Sequence, residues 1–434
     1  MTDFRPDFRP SKRARAGPPE EVDEPTDEPT LAGTTLAGKL PALASGAADG
    51  GGAERAWRGE WTFVQMADTQ LGMFREGGGW HEEIAMAERA VAAVNALAPR
   101  PRFVVVCGDL TDAMPTGPRA APARAAAQRA DFARVFARVD PAIATVCVCG
   151  NHDVGNRPTA ASLAEYRTWF GCDRAAFWMG GCRCVVINSA LYAAREDHWW
   201  LPSARERATA PAVDGGAAAA DAALAADRAF ARAAADEQDA WLDSELSAMR
   251  ALGEAGNGDD DADAPASPLA SPPVHLIAFA HHPPFLFAPD EPKGYFNLEP
   301  AVREPLLAKV SRPSVPLARD TTLTRALPTQ LKRANVSKLF CGHFHRNAGG
   351  YDGGLEVVVT SAAGCVLSFA ESALGESAAA RQTALGLEGF DWEQRRCDGA
   401  ASGLRVVTVT SEAVNHRFFT MDQIEAHVAN AHAA

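Results

Sequence analysis

An α/β fold is the class this sequence predicts, and three observations predict it. Short apolar runs recur from residue 61 onward, as TFVQMA at 62–67, FVVVC at 103–107 and TVCVC at 145–149, each rich enough in β-branched residues to be a buried strand. Between the first two, residues 82–97 carry Ile84, Val91, Val94 and Leu97 at helical spacing, and 131–139 reads as the next helix. Each of the three strands ends in a polar turn, at Asp68, Asp109 and Asn151. A strand, helix, strand order implies parallel neighbours joined by right-handed crossovers, which brings the three turns to one edge of a sheet.

The later elements follow from the same patterns. A helix is expected at 161–170 and a strand at 182–188 (CRCVVIN). An Ala-rich helix over 217–249 takes Trp241, Leu242 and Leu246 as its buried stripe, while Asp221, Asp227 and Arg228 interrupt the Ala run and make it a soluble helix. Residues 253–273 read as a linker, 274–280 (VHLIAFA) as a strand running into His281, 331–335 as the close of a helix, and 338–341 as a strand leading into Gly342. Strands are expected at 355–360, 404–410 and 413–419, the last two antiparallel. No internal repeat of fixed period is present.

Composition bounds the function. With 434 residues and 47% hydrophobic content the chain can bury a large core. A net charge of −13 argues against broad binding to nucleic acid or to anionic membrane, both of which need a basic face. No apolar run reaches the roughly 18 residues that span a bilayer, and the mixed first forty residues, which lack an apolar centre, are not expected to act as a signal peptide. The expectation is a soluble, cytoplasmic protein. Lys12, Arg13 and Arg15 offer a weak nuclear address. Nine cysteines without a C-x-x-C read as reduced core thiols, with Cys147 and Cys149, and Cys182 and Cys184, as same-face pairs on strands. Residues 253–264 (GEAGNGDDDADA) carry five acids and no base, and read as a solvated loop. Residues 1–56 are expected to be a disordered tail.

Five polar clusters close strand-like runs: Asp68-Thr69-Gln70, Gly108-Asp109, Gly150-Asn151-His152-Asp153, His281-His282-Pro283 and Gly342-His343-Phe344-His345. Singly each is an ordinary turn or cap; jointly, at the ends of strands, they point to a metal site. In this order they resemble the motifs of the calcineurin-like metallophosphoesterases, and more closely the calcineurin-like phosphoesterase domain-containing serine/threonine phosphatases. The similarity covers residues 61–425, with insertions near 200–235, 253–273, 311–322 and 370–400 and a C-terminal tail at 426–434.

The resemblance implies a four-layer αββα sandwich of two mixed β-sheets flanked by helices. It implies two divalent metal ions (Mn, Mg, Fe or Zn) with a bridging hydroxide, and Asp109 as the carboxylate shared between them. Asp68, Gln70 and His345 complete the first site; Asn151, His281 and His343 complete the second. His281 is chosen over His282 because the family pattern places the ligand two residues before Pro283. His152 sits over the substrate as a donor of a proton or hydrogen bond, with Asp153 holding its ring. Arg346 is read either as a charge near the phosphate or as a surface ion pair, and Asp112 either as support behind the ligands or as a turn cap.

Gln70 stands where most of the superfamily has His. An amide oxygen is a harder, weaker donor than imidazole, so the first site leans toward Mg²⁺ or Mn²⁺. The expected activity is hydrolysis of phosphoserine and phosphothreonine esters in a phosphoprotein partner. The same motifs also suit a phosphodiesterase or small-molecule phosphatase acting on a cyclic nucleotide or similar ester, and a catalytically weak scaffold is the reading from a different class.

Overall fold

The strand FVVVC is apolar throughout because both of its faces are covered. The computed structural model describes residues 52–75, 78–117, 120–195, 216–255, 271–310, 336–369 and 390–433. Its strands are β1 Trp61–Met66, β2 Phe103–Cys107, β3 Ala144–Val148, β4 Ala175–Met179, β5 Cys182–Val186, β6 Leu276–Phe279 and β7 Val336–Cys341. They continue with β8 Ala348–Asp352, β9 Leu355–Val359, β10 Val366–Phe369, β11 Phe390–Arg396, β12 Gly403–Val409 and β13 Val414–Thr420.

The first sheet runs β13-β12-β1-β2-β3, with β1, β2 and β3 parallel and β12 antiparallel to both of its neighbours. The second runs β4-β5-β6-β7-β9-β8, parallel from β5 to β9 with an antiparallel strand at each edge. β10 and β11 form a separate hairpin-like pair.

Three apolar layers make the four-layer sandwich. Odd positions of β1 and β2 (Trp61, Phe63, Phe103, Val105, Cys107) point between the sheets onto Phe177, Cys184, Phe279 and Phe340. The Phe63 and Phe103 rings stack at 4.6 Å, and Phe279 meets Phe63 edge-on at 5.8 Å. Even positions (Val64, Met66, Val104, Val106) face the helices His81–Ala96, Pro122–Phe136 and Ala160–Phe170. Beyond the second sheet, Leu242, Leu246 and Met249 of the helix Gly216–Ala255 and Leu306, Leu307 and Val310 of the helix Pro300–Val310 close the other outer layer.

Helical segments lie at both ends of the domain. Met421–Ala433 is a helix whose Met421 and Ile424, both inside the expected domain, are fully buried, and it continues through the residues expected as a tail. Arg89 donates to Asp422 at 2.7 Å and to Glu425 at 2.6 Å across the same joint. The i, i+3, i+7 spacing of Met421, Ile424 and Val428 buries one face against the helix His81–Ala96. At the other end, residues 52–55 form a helical turn in which Glu54 accepts from the Gly180 amide at 2.8 Å and pairs with Arg102. Sequence patterning also missed β4, β8, β10, β11 and the helix Pro300–Val310.

The tail up to residue 51, residues 256–270 of the linker, the insertion at 311–322, residues 331–335, and parts of the insertions at 200–215 and 370–389 lie outside the described residues. Residues 216–235 belong to the long helix, and 390–396 form β11. No helix among the described residues is long and apolar enough to cross a membrane.

Candidate metal centre

The turns after β1, β2, β3, β6 and β7 meet at the C-terminal rim shared by the two sheets. Backbone hydrogen bonds lace them together: Asp68 N donates to Gly108 O at 3.0 Å, Gln70 N to Asp109 O at 2.9 Å, and Gly342 N to His281 O at 3.0 Å. The turns also press closely against one another. A Cβ on Gly150 would overlap the Asp109 carboxylate, and one on Gly342 would overlap that of Asp68.

Backbone strain is concentrated here. Among the described residues the non-glycine positions with positive φ are Asp68 (52°), Gln70 (36°), Asp109 (49°), His343 (69°) and His345 (56°). All five are predicted metal ligands. Each left-handed residue costs roughly 1–2 kcal/mol, a cost tolerated where the surrounding structure fixes the conformation for function.

The side chains converge as the motifs predict. Donor atoms of Asp68, Asp109 and His281 all lie within 4.8 Å of one another, as do those of His281, His282 and His343. His281 Nε2 is 3.2 Å from Asp109 Oδ2 and 3.2 Å from His343 Nδ1, while His345 Nε2 is 3.5 Å from Asp68 Oδ1. Two of the rings are oriented from behind by carbonyls: His281 Nδ1 donates to Cys107 O at 2.9 Å and His345 Nδ1 to Cys365 O at 2.5 Å. That hydrogen bond fixes the tautomer and leaves each Nε2 lone pair toward the carboxylates, the usual arrangement behind a metal-bound histidine.

The amide residues supply the clearest test of fit. Gln70 Nε2 donates to Asp112 Oδ1 at 3.2 Å and Asn151 Nδ2 to Asn156 Oδ1 at 2.9 Å, so both amide oxygens are turned into the site. Gln70 Oε1 and Asn151 Oδ1 are buried there without a hydrogen-bond partner. Buried oxygens are rarely left unsatisfied, and two hard oxygen donors beside carboxylates and imidazoles suit divalent cations.

The electrostatics agree. Burial drives the Asp68 carboxyl well above its usual range, with His281 opposing and Asp109 adding to the rise. Burial acts on Asp109 in the same direction, yet His281 and His152 outweigh it and hold that carboxyl well below its usual range. His281 is lowered by burial but carried up to about 9 by Asp109 and Asp68. Closely packed acids that cannot share charge comfortably are what a bound cation relieves.

His152 and Asp153 depart from the expected pairing. Asp153 does not hold the His152 ring: its carboxylate accepts from the Gly150 amide at 2.8 Å, Leu110 at 2.9 Å and Thr111 at 3.3 Å. The cause is local. Asn151–Val154 is one helical turn with Gly150 at its N-cap, so Asp153 folds back to cap it and binds the Asp109 turn as well. The His152 ring is held instead by Asp112, with Nδ1 at 2.5 Å from the Asp112 carbonyl oxygen and 3.6 Å from its Oδ1. The His152 side chain is 23% exposed, whereas Asp68, Asp109, Asn151, His281, His343 and His345 are 0–5% exposed as residues.

The residues around the ligands divide. Arg346 follows His345 and is half-buried. Tyr295 stacks on His343 at 6.0 Å and Phe296 meets it at 5.6 Å, so these two aromatics border the site. Phe285 and Trp80 belong to the outer apolar layers. His282, set aside in the sequence reading, is buried with Nδ1 3.1 Å from Ser189 Oγ, and its ring lies 4.4 Å from that of His343. Asn156, which turns Asn151, carried no signal in the sequence.

Two mixed sheets between helices, with this cluster at their common rim, are the architecture of the metallophosphoesterases. No model of a known protein family matches the chain. The mouse (Mus musculus) serine/threonine-protein phosphatase CPPED1 is 32% identical over 381 residues, covering 86% of this chain and 87% of that protein. The zebrafish (Danio rerio) protein of the same name is 30% identical over 380 residues, covering 86% and 88%. Among solved structures, one described as a dimetal phosphatase from Danio rerio is similar with a TM-score of 0.40 and 15% identity, covering 84% of this chain and 100% of that one. On the strength of the two curated relatives, the chain belongs to the CPPED1 family of calcineurin-like phosphoesterases.

Proposed function

We propose that this protein is a metal-dependent phosphatase of phosphoserine and phosphothreonine in proteins. Asp68, Gln70, Asp109 and His345 hold one divalent cation in this reading, and Asp109, Asn151, His281 and His343 hold the second. The observation that carries it is the pair of buried, unpartnered amide oxygens, Gln70 Oε1 and Asn151 Oδ1, on turns that meet at the cluster of Asp68, Asp109 and His281. When bound, two such cations supply an acidified water and a clamp for phosphate oxygens.

The chain's own residues do the rest. His152, more exposed than the ligand set, is placed to meet the substrate. Its Nδ1–H is taken by the Asp112 carbonyl, so Nε2 donates a hydrogen bond to the phosphate or a proton to the leaving oxygen from the imidazolium form. Burial disfavours that form, but Asp109 and Asp112 outweigh it and raise the pKa of His152 above its usual value. Asp153 ties the Asn151-His152 turn to the Asp109 turn, so nucleating one site geometry fixes the other. Arg346 is assigned to the substrate side, as a cation beside the entering phosphate.

The protein substrate is taken from the activity named for the curated relatives. The amide ligand Gln70 favours Mg²⁺ or Mn²⁺ over Fe or Zn. Residues 61–425 are assigned to the catalytic domain, extended by the helix that runs to residue 433. All nine cysteines are unpaired thiols, which suits a reducing compartment and supports a cytoplasmic location.

Metal analysis of the purified protein, combined with hydrolysis of a phosphopeptide, a cyclic nucleotide and bis-p-nitrophenyl phosphate, tests the reading. Metal near two equivalents with a preference for the phosphopeptide is expected. Preference for either diester would reassign the substrate, and absence of both metal and turnover would leave a scaffold.

A further inference from the structure

A polar cavity lies between β8 and β9 of one sheet and β12 and β13 of the other. It has a volume of about 260 Å³, and its lining includes Gly350, Tyr351, Glu356, Arg405 and His416. None of its lining residues belongs to the proposed metal ligands. The volume falls below the roughly 300–1,000 Å³ of drug-sized sites, so an occupant must be small.

Its charges do not balance locally. Glu356 is fully answered, by Lys338 on one oxygen and by His416 Nε2 at 3.1 Å on the other. Arg405 is only 7% exposed. Its Nε donates to Thr360 Oγ1 at 3.0 Å, its Nη2 to Asn347 Oδ1 at 2.7 Å, and its Nη1 to His416 Nδ1 at 2.9 Å. Because Arg405 occupies the Nδ1 lone pair, His416 is the neutral tautomer that carries its hydrogen on Nε2. Every direct partner of Arg405 among the described residues is therefore neutral. Burial accordingly pushes its guanidinium down to about 10, with Glu356 opposing from beyond His416.

Buried cations in proteins are paired or they bind an anion. Of the five N–H groups of a guanidinium, three are taken by Thr360, Asn347 and His416, so donors remain for a planar or tetrahedral oxyanion. We infer that this cavity is an anion site in which a small phosphate-like or carboxylate oxyanion pairs with Arg405 and passes the exposed Tyr351 on entry. Tyr351 is 66% exposed at its mouth. The inference stands independently of the proposed phosphatase activity.

Calorimetric titration of the purified full chain with sulfate and, separately, with succinate distinguishes the two chemistries. Binding of at least one anion is expected, retained in Asp109→Asn and weakened at least tenfold in Arg405→Gln and in Tyr351→Glu. Sulfate alone marks a tetrahedral ligand and succinate alone a carboxylate. Binding of neither, binding that survives both groove substitutions, or binding lost only in Asp109→Asn would overturn the site. Should Arg405→Gln fail to fold, Tyr351→Glu, at an exposed position, decides alone.

Discussion

His152 and Asp112 meet at two points, the ring Nδ1 lying 2.5 Å from the Asp112 carbonyl oxygen and 3.6 Å from its carboxylate. The same carboxylate holds the Gln70 amide at 3.2 Å, so one residue orients both the substrate-facing imidazole and a metal-facing oxygen. Asp112→Ala is expected to lower metal affinity or turnover by about 10–100-fold, the usual effect of removing such a support. Asp112→Asn, which retains the main-chain contact and an acceptor oxygen, is expected to do less. Metal titration of turnover in both variants provides the comparison; an unchanged titration in Asp112→Ala would show that the carboxylate has no orienting role.

Gln70→His replaces a weak oxygen donor by imidazole at a left-handed position that histidine tolerates. Half-maximal activity should then need less added metal. An unchanged titration would count against Gln70 as a ligand.

Asn151→Ala removes a proposed ligand and His152→Ala removes the proposed proton donor. Each is expected to reduce kcat, His152→Ala by about 10²–10⁴-fold. Steady-state rates on a phosphopeptide decide the matter, and activity surviving both changes would refute the catalytic assignment.

Gly150→Ala should disable the site without substituting a ligand, because its Cβ would overlap the Asp109 carboxylate and displace it. A stability loss of roughly 1–3 kcal/mol is expected from overpacking, together with reduced metal content. Denaturant melts and elemental analysis read the two effects separately.

The C-terminal helix tests which force docks it. Arg89 is 29% exposed with partners at 60% and 46%, so its ion pairs are screened and worth about 0.2–1 kcal/mol each. Ile424 is fully buried, and Ile424→Ala should cost about 2–5 kcal/mol. Urea unfolding of Arg89→Ala and Ile424→Ala should show the larger loss at Ile424; a larger loss at Arg89 would make the joint electrostatic.

The sequence by itself determined the strand, helix, strand order and five motif turns at the ends of strands. Those features are local, written in periodicity and in residue type. It could not determine that Asp112 rather than Asp153 would hold His152, because one helical turn sends neighbouring side chains to opposite sides, and the Asp112 loop reaches the ring only after two parallel strands have been brought together. Nor could it reveal the five left-handed ligand residues, the capture of residues 421–433 as a helix by the outer core, or the buried Arg405 between the sheets. Each of these depends on contacts between segments far apart in the chain, where packing and desolvation, which no short stretch of sequence records, set the outcome.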